Sequence, residues 1–167
     1  MSIHAASVAT FVQMLNSLSA VLDKAEAHAT SRKIAPDVLP TSRLYPDMLP
    51  LTRQVQIACD FAAKTTARLT KAEIPTTPDT EKTIADLKAR IAKALEYVKS
   101  FKPDQFVGAD TREVTFPVGP DKTMTLKGEQ YLNNYALPNF YFHVTTAYNI
   151  LRHNGVEIGK RDFLGAA

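Results

Sequence analysis

The sequence predicts an all-α fold: a four-helix bundle with one short β-hairpin near residues 112–126, just before the last helix. Three observations carry this. Four segments of about 17–25 residues repeat apolar side chains every three or four positions, the spacing that lines up one face of a helix. The stretches between them are rich in proline, which helix interiors exclude. One stretch, REVTFPVGPDKTMTL, alternates with period two around a central cluster of turn residues. Amphipathic helices of this length bury their apolar stripes by packing against one another.

The first helix is expected from about Ala5 to Ala29. Val8, Phe11, Val12, Leu15, Leu18, Leu22 and Ala25 share one face, and the helix fades near Thr30 and Ser31. Pro36, Pro40, Pro46 and Pro50 then keep residues 32–50 out of any long helix. Asp47 is the expected cap of the second helix, and Pro50 suits its first turn. That helix runs from Leu51 to Leu69 on Leu51, Val55, Ala58, Ala62, Thr65 and Leu69, with polar Gln54, Gln56 and Asp60 set among them.

The third helix is expected to start at Thr77, where a capping hydroxyl is followed by Pro78, Asp79 and Glu81. Ile84, Leu87, Ile91, Leu95 and Val98 make its apolar stripe, and Lys82, Lys88, Arg90 and Lys93 lie off it. In the hairpin, Val114, Phe116 and Val118 alternate with polar residues, and Gly119-Pro120-Asp121-Lys122 is the turn. Pro117 restricts its strand to an edge. The last helix uses Phe140, Val144, Ala147 and Leu151. Pro138 either starts it or kinks a helix that begins near Glu129, and Gly155 suits its left-handed end. The tail can dock through Phe163 and Leu164.

The chain has 167 residues, 45% hydrophobic and 22% charged, which fits a single domain over 1–167. No apolar run approaches the roughly 20 residues of a membrane span, and no Lys or Arg precedes the apolar N-terminal stretch, so neither a membrane partner nor a secretory leader is expected. The single cysteine, Cys59, excludes an intrachain disulfide and suits a reducing cytoplasm; a buried, inert thiol is its expected state. The net charge of +3 is spread along the chain, without the basic stripe of a nucleic-acid binder.

The stretches LYPDMLPLTRQVQIACDFA at 44–62 and NFYFHVTTAYNILRHNGVEIGKRDFLG at 139–165 resemble a mainly bacterial family of unknown function, grouped with the DinB-like four-helix bundles. The resemblance extends along nearly the whole chain. It implies more than a fold. Many members of the wider superfamily bind a divalent metal through one histidine of the second helix and two, spaced by four, on the fourth. Some transfer low-molecular-weight thiols to electrophiles or isomerise thiol adducts.

Laid on this chain, that pattern puts the helix-four pair at Asn139 and His143, so only one histidine of the three survives. The second helix offers Gln54, Gln56 or Asp60, and the sequence does not fix which one faces His143. Amides are poor ligands for zinc or nickel. The expected site is therefore degenerate: His143 as sole imidazole, at most a weakly held divalent metal, and no other cofactor. The competing reading is a packed histidine bonded to a neighbouring Asn, Gln or Tyr. Tyr148, on a flank of the last helix, is a further pocket candidate. Two functions follow from different classes. One is a small-molecule pocket protein with transferase-like ancestry and an unidentified ligand; the other is a non-enzymatic interaction protein acting as a homodimer. No motif names a reaction.

Overall fold

The computed structural model describes residues 2–165. The chain is mostly helical, with one two-stranded antiparallel hairpin. It enters through a wide π turn at Ala5–Ala9 that continues directly into α1 (Thr10–Ser31). By length and composition, Ala5–Ser31 is apolar enough to cross a membrane, contrary to the sequence expectation. Its stripe of Phe11, Leu15, Leu18, Leu22 and Ala25 is instead packed into the protein's own core.

A one-turn helix α2 (Val38–Thr41) interrupts the proline-rich loop. Helix α3 (Leu51–Thr70) follows, with extended Pro50 at its cap position. Asp47 does not cap it. The loop folds back instead, so that the Leu51 N–H donates to the Ser42 carbonyl (2.9 Å) and the Thr52 hydroxyl to the Pro40 carbonyl (2.9 Å). The first satisfies one orphan N–H of the helix start, and the second pins the loop to the helix.

Helix α4 spans Ile84–Lys99, seven residues later than the Thr77 start read from the sequence. Two competing interactions explain the delay. Thr83 and Asp86 form a reciprocal capping box, with Asp86 N–H to Thr83 Oγ1 at 3.2 Å and Thr83 N–H to Asp86 Oδ2 at 2.9 Å. The acids expected to sit on a helix dipole, Asp79 and Glu81, are held by Arg53 and Arg90. Residues 71–82 therefore run as an extended strap across α3 and α4.

Strands β1 (Glu113–Gly119) and β2 (Lys122–Lys127) pair from Glu113–Lys127 to Gly119–Lys122, with an irregularity between Pro117 and Gly119. Val114 and Phe116 turn inward, whereas Val118 is exposed. The chain then passes into α5 (Gly128–Tyr131), a π turn at Leu132–Ala136, and α6 (Leu137–His153) without leaving a helical path. Of the two readings of Pro138, the continuous helix is the observed one. The wider turn before it fits a residue that cannot donate to the preceding turn. Gly128 is required by space, since a Cβ there would lie 1.8 Å from the Ala109 carbonyl oxygen.

Helix α1 packs on α4 and α6, and α3 packs on the same two, so the four long helices close around one core. Phe11 meets Phe140 edge-on at 4.9 Å, and Leu51, Val55, Leu87 and Ile91 are fully buried. Leu95 is only half-buried, against expectation, because it lies at the margin of the stripe. The tail forms α7 (Lys160–Leu164) on α1, where the Ser17 hydroxyl lies 2.6 Å from the Asp162 and Phe163 carbonyls. Phe163 packs there, whereas Leu164 remains exposed.

Candidate functional site

The polar residues of α3 point two ways. Gln54 turns toward α6 and meets His143: its Oε1 lies 2.7 Å from Nδ1. Its amide nitrogen donates to the Leu49 carbonyl at 3.0 Å, which orients Oε1 toward the ring. Nδ1 must therefore carry the proton, leaving Nε2 as the acceptor nitrogen. The imidazole also stacks on Phe61 at 6.1 Å and 21°. Burial first, and the charge of Arg53 second, hold it below its ordinary value of 6.5, so the neutral ring is favoured.

Asn139, one turn earlier, donates to the Tyr135 carbonyl on its own helix at 2.7 Å. Tyr148 packs edge-on against Phe163 and its hydroxyl lies 3.4 Å from the Ile158 carbonyl, which assigns it to the tail. Gln56 and Asp60 face α4 and the strap. Gln56 accepts from Arg53 at 2.6 Å and donates to Glu81 at 2.7 Å. Asp60 accepts from Arg90 and from Lys64, each at 2.8 Å. Of the six residues singled out in the sequence, only Gln54 and His143 are joined by a hydrogen bond.

This donor set does not suit a zinc or nickel ion. It offers one imidazole whose Nδ1 is engaged, an amide turned to its own helix, and a glutamine oxygen already accepting. No group of three His, Cys, Asp or Glu side chains able to hold a metal occurs among the described residues.

Two small cavities flank α3. One, of about 200 Å³, lies beside the His143–Phe61 stack and is lined by Ile57, Asp60, Phe61, Lys64, Arg68, Pro117 and Tyr135. The other, of about 170 Å³, lies under the strap and touches Cys59, Thr77, Arg90, Lys93 and Tyr97. Burial pushes the Cys59 thiol up to about 12 against the opposing pull of Arg90, so this sulfur is no nucleophile at neutral pH.

Sequence reading missed Arg90 and Arg68. Arg90 was placed off the apolar stripe, yet its side chain is 2% exposed, clasped by Asp60 (2.8 Å), Asp79 (3.0 Å) and Glu81 (3.1 Å). The available signal was its place beside Ile91 and one turn after Leu87. Arg68 gave no signal: an arginine in the last turn of a helix is usually there for the dipole.

Comparison with known proteins places this geometry among relatives. The family model for a domain of unknown function, DUF1993, matches residues 3–164. A solved crystal structure, of a DinB family member protein from Shewanella denitrificans, is 46% identical and superposes with a TM-score of 0.92, covering 99% of this chain and 93% of that one. No curated protein matches.

Proposed function

The chain belongs to the DUF1993 family, a domain of unknown function, and on that premise we propose that it is a small-molecule-binding protein on a DinB-like four-helix bundle whose metal position has degenerated. The carrying observation is what His143 does. The position that the resemblance gives to a metal ligand is bonded to Gln54 and buttresses Phe61, a wall of the 200 Å³ cavity. A thiol-transferase reaction of the superfamily kind relies on a metal held by three imidazoles, which these side chains do not supply. Binding is therefore the reading put forward, with the single buried Cys59 in keeping with a reducing cytoplasm.

Two measurements test it. Untagged protein equilibrated with zinc or nickel and then dialysed should retain far less than one ion per chain. Benzene-sized fragments, neutral and charged, should shift the NMR signals of Phe61 and Tyr135. One tightly held ion per chain, lost in His143→Ala, would restore the metalloenzyme reading, and a cavity silent to every fragment would remove the binding one. A homodimer is the second reading, favoured by Tyr141 and Phe142, which are 38% and 57% exposed on α6. Sedimentation of wild type against Phe142→Ser separates it: a monomer in both cases ends it.

A further inference from the structure

We propose that the cavity beside Phe61 receives a small planar organic anion, an aromatic or unsaturated carboxylate, on the guanidinium of Arg68. The inference rests on the small-molecule reading above and adds the ligand's charge and shape.

Charge comes first. Arg68 is half-buried, and its guanidinium is permanently protonated. Its one hydrogen bond among the described residues runs from Nη1 to the neutral Tyr131 hydroxyl at 3.1 Å. Its Nε is buried with no partner, as is that of Arg90, so what sets Arg68 apart is the missing carboxylate. No carboxylate pairs with it among the described residues, whereas Lys64 in the same lining is matched by Asp60 and Arg90 by three acids. A partly desolvated cation without a counter-charge costs stability that folding alone does not recover. The protein thus holds one positive charge in excess where a ligand can enter.

Shape comes second. Nη2 makes no hydrogen bond among the described residues and, unlike the enclosed Nε, is left to donate to a carboxylate oxygen. The cavity's flat and apolar walls are Phe61, Tyr135, Pro117 and Ile57, with the Phe61 and Tyr135 rings 6.0 Å apart, and the paired Asp60 and Lys64 complete its lining. A volume of about 200 Å³ is a little more than the roughly 150 Å³ cavity that holds one benzene ring. It admits a single ring bearing a carboxylate. Phe61 ties this site to the His143 position: the ring that stacks on the imidazole also forms the cavity wall.

The test uses benzoate, its neutral isostere benzamide and inorganic phosphate, titrated against the full chain by NMR, in wild type and Arg68→Gln. Benzoate should bind wild type about tenfold or more tightly than benzamide, the worth of a charge-assisted pair over a neutral one. In Arg68→Gln the two should converge. Equal binding of benzoate and benzamide to wild type overturns the anion while leaving the pocket reading standing. Phosphate binding as tightly as benzoate overturns the planar part. Neutral fragments that shift Phe61 where benzoate does not also sink the inference alone. Silence to fragments of every charge sinks it together with the small-molecule reading.

Discussion

The two flanks of α3 handle buried arginine in opposite ways. Toward α4, Arg90 is almost wholly enclosed and sits among Asp60, Asp79 and Glu81, and it also donates to the Pro78 carbonyl at 3.2 Å. The contacts to Asp79, Glu81 and Pro78 tie the strap of residues 71–82 to α4, and that to Asp60 ties α4 to α3. Toward the hairpin, Arg68 has a neutral tyrosine hydroxyl and nothing else among the described residues. The residue type is the same, both arginines border α3, and one electrostatic account is closed while the other is open. A closed network is architecture, because every charge has its partner inside the chain. An open one points to a partner from outside.

The largest effect expected from this contrast is on the closed side. Arg90→Ala leaves Glu81, 9% exposed, without its cation and frees the strap. The loss should be about 3 kcal/mol, the low end for breaking a buried pair, because Asp60 and Asp79 still reach water. A urea midpoint within error of wild type would break the comparison. The same network predicts acid lability. Burial alone would push the Asp79 and Glu81 carboxyls up. Arg53 and Arg90 at Asp79, and the Gln56 amide, a backbone N–H and Arg90 at Glu81, outweigh it and hold both below their ordinary 3.8 and 4.5. A depressed carboxylate contributes its stability above the unfolded value and loses it as pH falls through the folded one. Strap protection in hydrogen exchange should therefore persist at neutral pH and fade below those values.

His143 stands between the two flanks in magnitude. His143→Ala should cost roughly 1–3 kcal/mol, since it strands the buried Gln54 oxygen and removes the plate behind Phe61. The imidazole is held below 6.5 in the fold, so its contribution is complete above that pH and declines as pH falls toward the folded value. Wild type should lose stability on passing below pH 6.5, and the variant should lose less. Parallel pH profiles would show that the ring is not desolvated as described.

Much of this fold was legible because it depends on periodicity. The stripes of α1, α3, α4 and α6 survive in the core, and the alternation of Val114 and Phe116 marks the hairpin. What failed were boundaries and partners. Thr77 has every local feature of a helix start, yet Asp79 and Glu81 gain more from two arginines about 10–30 residues away in sequence than from the helix dipole. Local propensity cannot weigh such a contact. At the site, the spacing of Asn139 and His143 put both on one stripe but not both side chains in one direction: Asn139 bonds back to Tyr135, a choice made by rotamer rather than register. Gln54 as the partner of His143 was one of three options, and only the turn of α3 against α6 decides among them. Arg68 was invisible because its meaning lies in an absent acid.

The smallest effect is the most discriminating. Arg68→Met keeps most of the apolar stem of the side chain but removes the charge. Tyr131 keeps a second hydroxyl neighbour, Thr65 at 3.3 Å, so its own oxygen is not left bare. If Arg68 served the fold as Arg90 does, the substitution would destabilise by a similar amount. If its charge is held for a ligand, the ligand-free protein gives up desolvation cost together with one hydrogen bond to a neutral group, and the two nearly cancel. Arg68→Met should therefore lie within about 1 kcal/mol of wild type, on either side of zero, when melted without ligand. Benzoate should then raise the melting temperature of wild type but not of the variant, because only a ligand that prefers the native state stabilises it. A loss as large as that of Arg90→Ala would make the two flanks alike and remove the physical ground for treating one of them as a site.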